Sequence, residues 1–142
     1  MVKQLNVFSE NKPGKLEKIT KVLSDADVNL RALKISSSDA YGVIKFLVDD
    51  PEKGFEAFRK AGVTAHLKEV LAVEVKDTPG SLNRMLSLLA INNVNIEDCY
   101  GFVIEDRKRA VIILEMEEPA AASKILERNS YVIIGSSKLY SL

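Results

Sequence analysis

The chain has 142 residues, 46% apolar and 28% charged, with 20 Lys+Arg set against 20 Asp+Glu. That balance leaves no net field to draw in nucleic acid or anionic lipid. Its single cysteine, Cys99, excludes an intrachain disulfide, and no apolar run approaches the ~18 residues of a membrane span. A reducing compartment and a short N-terminus without a signal-peptide core make the cytoplasm the expected location.

In chain order, Gln4–Phe8 reads as a strand, and Asn11-Lys12-Pro13-Gly14-Lys15-Leu16 as a turn opening a helix. Pro13 has the φ that suits a first helical position, and Gly14 allows a close bend. Leu16, Ile19, Val22, Leu23 and Ala26 recur at helical spacing, while Lys15, Glu17, Lys18 and Lys21 face away. The helix ends at Asp25–Asp27. Strands over 29–37 and 42–48 follow, joined by a turn through Ser38-Asp39-Ala40. Asp50 is expected to cap a second helix, with Pro51 at its first position and Phe55 and Phe58 inward. Gly62 stops that helix, and a strand over 63–67 runs almost without a linker into the strand Val70–Val75.

The order then repeats. Lys76-Asp77-Thr78-Pro79-Gly80-Ser81-Leu82 opens a helix whose Leu82, Met85, Leu86 and Leu89 share a face. Strands are expected over 95–104 and 109–115, around a turn at 105–108. Glu118-Pro119 opens a last helix with Ala121, Ala122, Ile125 and Leu126 inward, and Tyr131–Ile134 is the last clear strand. The tail 136–142 is a candidate edge strand. Pro13 and Pro79 are 66 residues apart, as are Asn29 and Asn95, and the second hairpin is two residues longer. A spacing kept through turn, helix and strand marks an internal duplication. It divides the chain at 1–69 and 70–142 into two βαββαβ units of α+β class, each an antiparallel sheet with its helices on one face. Units so small bury only ~60% of their unfolded surface and should pack on each other or on a second chain. Strands 100–104 and 110–114 are apolar on both parities, as in sheets buried on both faces. A covering second copy is expected, with plain β-propensity as the alternative.

The βαββαβ order, the Asx-x-Pro-Gly-x-Leu turn, and the Asp27-Val28-Asn29-Leu30 and Asn93-Val94-Asn95-Ile96 segments resemble the ACT domain. That ferredoxin-like regulatory module binds small ligands, typically amino acids, in enzymes of amino-acid metabolism and in transcription regulators. The resemblance covers the whole chain as two tandem copies. Ser9–Gly14 with Val28-Asn29-Leu30 is especially similar to the serine-sensing ACT domain of phosphoglycerate dehydrogenases, although Ser9 stands where those carry a histidine. The resemblance implies ligand contacts from Asn11 and Asn29 in the first copy, and from Asp77 and Asn95 in the second.

Physical chemistry supplies reasons for such contacts. A helix N-terminus offers unpaired N–H groups and partial positive charge to a carboxylate, and Gly14 and Gly80 place no side chain in the way. A carboxamide can pair with either end of a zwitterion, and Asp77 suits its ammonium. The candidate site residues are therefore Asn11, Pro13, Gly14 and Asn29, with Asp77, Thr78, Pro79, Gly80, Asn95 and Ile96. Two bland alternatives stand beside them. Asp77-Thr78-Pro79 could simply cap a helix, and Asn29 and Asn95 could be turn residues that tolerate awkward φ.

Other groups read as structural: His66 as a surface or satisfied histidine, Cys99 as a small buried hydrophobe, and Glu115, Glu117, Glu118 and Asp49-Asp50 as helix-start charge. Arg107-Lys108-Arg109 reads as a solvated hairpin tip. No nucleophile elbow, Walker loop, metal motif or dinucleotide fingerprint occurs, so neither enzyme chemistry nor a cofactor is expected. The expectation is a regulatory protein, as a homodimer, holding a free amino acid or similar metabolite where the first-helix turn of one unit meets strand two of another. Its signal would pass within the oligomer or to a metabolic enzyme or regulator. The rival readings are a dimerisation module that binds no metabolite, and an RNA-binding sheet, which would need exposed aromatics in a basic surround.

Overall fold

The structure, a computed structural model, describes residues Met1–Leu142. It comprises two compact units, Lys3–Lys68 and Glu69–Leu142, the latter with Met1–Val2. In the first unit β1 (Val2–Glu10), α1 (Lys15–Asp25), β2 (Leu30–Ser38), β3 (Tyr41–Val48) and α2 (Pro51–Lys60) lead into the start of β4 (Ala65–Lys76). Its strands lie in the order β2-β3-β1-β4, the last two tied by the Phe8 N–H donating to the Thr64 carbonyl at 3.0 Å. Antiparallel register sets both Leu5 and Leu33 opposite Phe46, and both Val7 and Ile35 opposite Ile44. This one face meets the helices: Leu5, Val7, Ile44 and Phe46 pack with Ile19 and Leu23 of α1 and Phe58 of α2. The Asp50 carboxylate accepts from the Lys53 N–H at 3.0 Å and Pro51 is the first helical residue, so α2 opens as its sequence demands.

The second unit takes the rest of β4 and adds α3 (Ser81–Ile91), β5 (Asp98–Glu105), β6 (Arg109–Glu115), α4 (Pro119–Arg128), β7 (Val132–Ile133) and α5 (Ser136–Leu139). Its order, β5-β6-β4-β7, is the first unit's order again. Leu71, Val73 and Leu114 of the sheet close over Met85 and Leu89 of α3 and Leu126 of α4. Both units are thus ferredoxin-like, α+β, with an antiparallel sheet and a helical layer.

Several expectations change. Pro13 and Pro79 are not the first helical residues; the helices begin at Lys15 and Ser81. Pro-Gly instead occupies the two central positions of a type II turn, which needs φ near +80° at its second, and Gly14 and Gly80 both have φ 83. That turn closes with Lys15 and Ser81 N–H groups donating to the carbonyls of Lys12 and Thr78, each at 3.2 Å. The helices therefore start late, and Leu16 and Leu82, read as inward, sit on the first turn about 36% and 39% exposed. Asn29, Asn95 and Ile96 precede their strands rather than opening them. The tail is no edge strand: Ser136–Leu139 forms one helical turn anchored by buried Leu139. Val111 and Ile113, on the sheet face away from α3 and α4, are 0% exposed within the single chain, so that apolar face needs no second copy to cover it. Tyr100 and Phe102, their register partners, are part-buried, and burial pushes the Tyr100 phenol pKa up. They offer no open stacking platform for RNA.

Candidate functional site

Helices α1 and α3 begin in the same unusual way. Each N-cap is a left-handed glycine, and no side chain accepts from the first-turn N–H groups. Once the type II turn has used Lys15 and Ser81, the following backbone N–H groups face outward at a mouth that no side chain plugs. The duplicated turn is thus an uncapped, positively polarised helix end, built twice.

Asn11 and Asp77 stand at the edge of these mouths and turn toward their own unit's hairpin. The Asn11 amide donates to the Asp39 carbonyl at 3.0 Å, and its backbone N–H donates to the Ala40 carbonyl at 2.8 Å. In the second unit, Asp77 Oδ2 accepts from the Arg107 N–H at 2.8 Å, while the Asp77 N–H donates to the Lys108 carbonyl at 3.1 Å. Asp39 and Arg107 are the positive-φ residues of the two hairpins. The same tether is therefore made with opposite polarity, amide to carbonyl in one copy and N–H to carboxylate in the other. Asp77 is not a helix cap, and neither is Thr78, whose hydroxyl lies 2.7 Å from the Ser81 hydroxyl.

Asn29 and Asn95 occupy the far end of α1 and α3. An 11-residue helix spans about 16 Å, so neither unit brings its own mouth and carboxamide together. The turn alternative does not hold for either residue: positive φ belongs to Asp27 and Asn93, two positions earlier. Only the Asn29 main chain is engaged, its N–H donating to Asp49 Oδ1 at 2.9 Å and its carbonyl accepting from the Asp49 N–H at 3.0 Å. Both side chains are exposed with unspent carboxamides. Ile96 is a structural residue, packed against the second core.

Four surface cavities flank these positions. The one beside Asn11 and Lys15 is about 70 Å³, and the groove beside Asn29 about 600 Å³. In the second unit two cavities of about 310 Å³ lie toward opposite ends of α3. Toward the mouth the lining includes Lys76, Arg84, Lys108 and Arg109 with Glu74. Toward the other end it holds Asn95 with Glu97, Glu117 and Glu118. The sequence reading missed the first set. Arg84 is four residues after Gly80 and so stacks above the mouth on one helical face, a signal that spacing carried. Lys108 and Arg109 were read as hairpin tip and reach the same cavity through the β-hairpin. Cys99 packs against the second core, and His66 Nε2 lies 3.4 Å from Asn6 Nδ2, both in keeping with structural roles.

The ACT domain pair family matches over residues 1–142. Protein BT0572 from Bacteroides thetaiotaomicron superposes with TM-score 0.92 at 28% identity, covering 99% of this chain and 96% of that one. The ligand-free regulatory subunit of aspartate kinase from Thermus thermophilus gives TM-score 0.66 at 18% identity, with 89% and 91% covered. Its counterpart from Thermus flavus gives 0.61 at 17%, with 89% and 90% covered. At these identities the two subunits share the fold with this chain. No match is found among curated proteins. With both mouths, both sheets and the full length accounted for, the chain belongs to the ACT domain pair family.

Proposed function

We propose that this chain is a regulatory sensor for a small metabolite of the free amino acid class, with its binding modules at 1–69 and 70–142 and no catalytic step of its own. The observation that carries this reading is the duplicated mouth: two left-handed glycines open two helices whose first-turn N–H groups no side chain takes. An α-carboxylate would rest on those N–H groups. Its ammonium would meet an Asn29-type or Asn95-type carboxamide from the ACT unit of another chain. Charge supports that pairing, because the cavity at the α3 mouth is basic and the one holding Asn95 is acidic. A homodimer would supply the second unit. β2 is the free edge of the first unit's sheet and leaves Leu33 and Ile35 42% and 46% exposed, a surface that proteins rarely leave uncovered. No helix is long and apolar enough to cross a membrane, and the cytoplasm, beside a metabolic enzyme or regulator, is the location this role requires. Signal strength is set by how much better ligand binds one arrangement than another, ~1–3 kcal/mol in typical cases.

Thermal-shift measurement against the twenty amino acids tests the proposal. A true ligand at ~100 times its Kd adds ~2.7 kcal/mol to stability. Twenty flat profiles would leave a dimerisation module. For the matching ligand, Asn95→Ala is expected to weaken binding by ~1–3 kcal/mol, the cost of a charged group left without its partner. Its melting temperature should hardly move, since the side chain is exposed and bonded to nothing. Unchanged affinity would take Asn95 out of the site.

A further inference from the structure

We infer that the cavity at the mouth of α3 is an oxyanion site that takes a small ligand carrying two acidic groups. The inference rests on the helix mouth being a ligand site, as proposed above, and adds the class of ligand. Lys76, Arg84, Lys108 and Arg109 line this cavity of about 310 Å³, with Glu74 as the one acidic residue among them. Arg109 Nη1 lies 3.5 Å from Glu74 Oε2 and its Nε 3.7 Å from Glu105 Oε2, while Lys108 Nζ lies 2.5 Å from Glu105 Oε1. Four cations against Glu74 and Glu105 leave two positive charges. These two are not diffuse. Lys76 has no carboxylate partner, and the Arg84 guanidinium binds only a neutral group, donating to Ser81 Oγ at 3.1 Å.

Arg84 also stands over the turn itself, since a Cβ on Gly80 would lie 3.0 Å from its Nη1. A planar guanidinium with spare donors, beside backbone N–H groups and a second free cation, suits a carboxylate or phosphate better than a neutral zwitterion. The fold does not impose this lining. At the positions matching Lys76 and Arg84 the first unit has Glu10 and Lys18, and at those matching Lys108 and Arg109 it has Ala40 and Tyr41. Lys12 at the first mouth is already paired with Glu10 at 2.7 Å, which raises the Lys12 pKa and lowers that of Glu10. Charge was placed on the second mouth and kept off the first.

Isothermal titration of the full chain with serine, glutamate and inorganic phosphate tests this, in wild type and in Arg84→Gln and Lys76→Gln. Both side chains are exposed, so both variants should keep the wild-type melting temperature. The expected result is that glutamate or phosphate binds at least about tenfold more tightly than serine, and that each variant removes about tenfold of that affinity. Glutamate binding identifies a dicarboxylate source and phosphate binding a phosphate ester, and either result upholds the inference. If serine binds as well as glutamate and neither variant matters, the inference falls while the amino acid reading stands. If phosphate alone binds, dependent on Arg84, the inference stands and the amino acid reading falls. Binding of none of the three, or anion binding that neither variant changes, overturns the inference.

Discussion

Phe58→Ala should cost about 3–5 kcal/mol, the usual range for emptying a fully buried aromatic site. Phe58 is 0% exposed on the inner side of α2, its ring stacked on that of Phe46 at a centroid separation of 6.2 Å. Leu5, Leu23 and Val28 complete the same cluster. The surrounding backbone can relax little, because Gly54 on the same helix already seats its Cα against Leu5 and Leu23, with only 3.0 Å and 3.3 Å to spare for a Cβ. Marginal stability of ~0.05–0.15 kcal/mol per residue gives a unit of this size ~3–10 kcal/mol in total. A loss of 3–5 kcal/mol then takes away much of what holds the first unit. Phe55→Ala, on a half-buried position of the same helix, is the comparison and should cost clearly less. Urea unfolding of both variants measures the difference. Equal midpoints for the two would show that Phe58 is not the keystone described.

Gly80→Val is the second large effect, and it falls on the backbone before it reaches any ligand. At φ 83 a side chain with a Cβ is strained by ~1–2 kcal/mol, and β-branching makes matters worse. The contact it would make is minor by comparison, because the only group within reach is the far end of the flexible Arg84 side chain. Gly14 separates the two contributions. It has the same φ of 83 and nothing within 4 Å of a built Cβ, so Gly14→Val should lose nearly as much stability as Gly80→Val. Gly80→Asn should recover most of the loss, since Asn tolerates the left-handed region. Thermal unfolding of the three variants checks the set. A Gly80→Val much worse than Gly14→Val would move the cause from backbone strain to Arg84. The expectation that a side chain here harms binding more than folding is thus revised: both suffer, because one dihedral angle shapes the turn and opens the helix.

The sequence by itself determined the duplication and the order of elements. Offsets of 66 and 68 are counts along the chain, and apolar spacing reports a helix or strand whatever packs against it. From these came two βαββαβ units, the two Pro-Gly turns and the cap at Asp50. Where the helices begin was less legible, because Pro serves equally as a first helical residue and as the second residue of a type II turn; only the φ of Gly14 and Gly80 separates the two. The tertiary structure alone decided the roles of the polar candidates. Asn11 and Asp77 are tethers to hairpins 28 and 30 residues away, a pairing that local sequence cannot express. Asn29 and Asn95 keep their carboxamides free, and that depends on what the folded chain leaves unused. The basic cavity gathers Lys76 and Arg84 with Lys108 and Arg109 from across the sheet. Propensity and periodicity act over a few residues, whereas a pocket is a property of surfaces that meet only after the strands have paired.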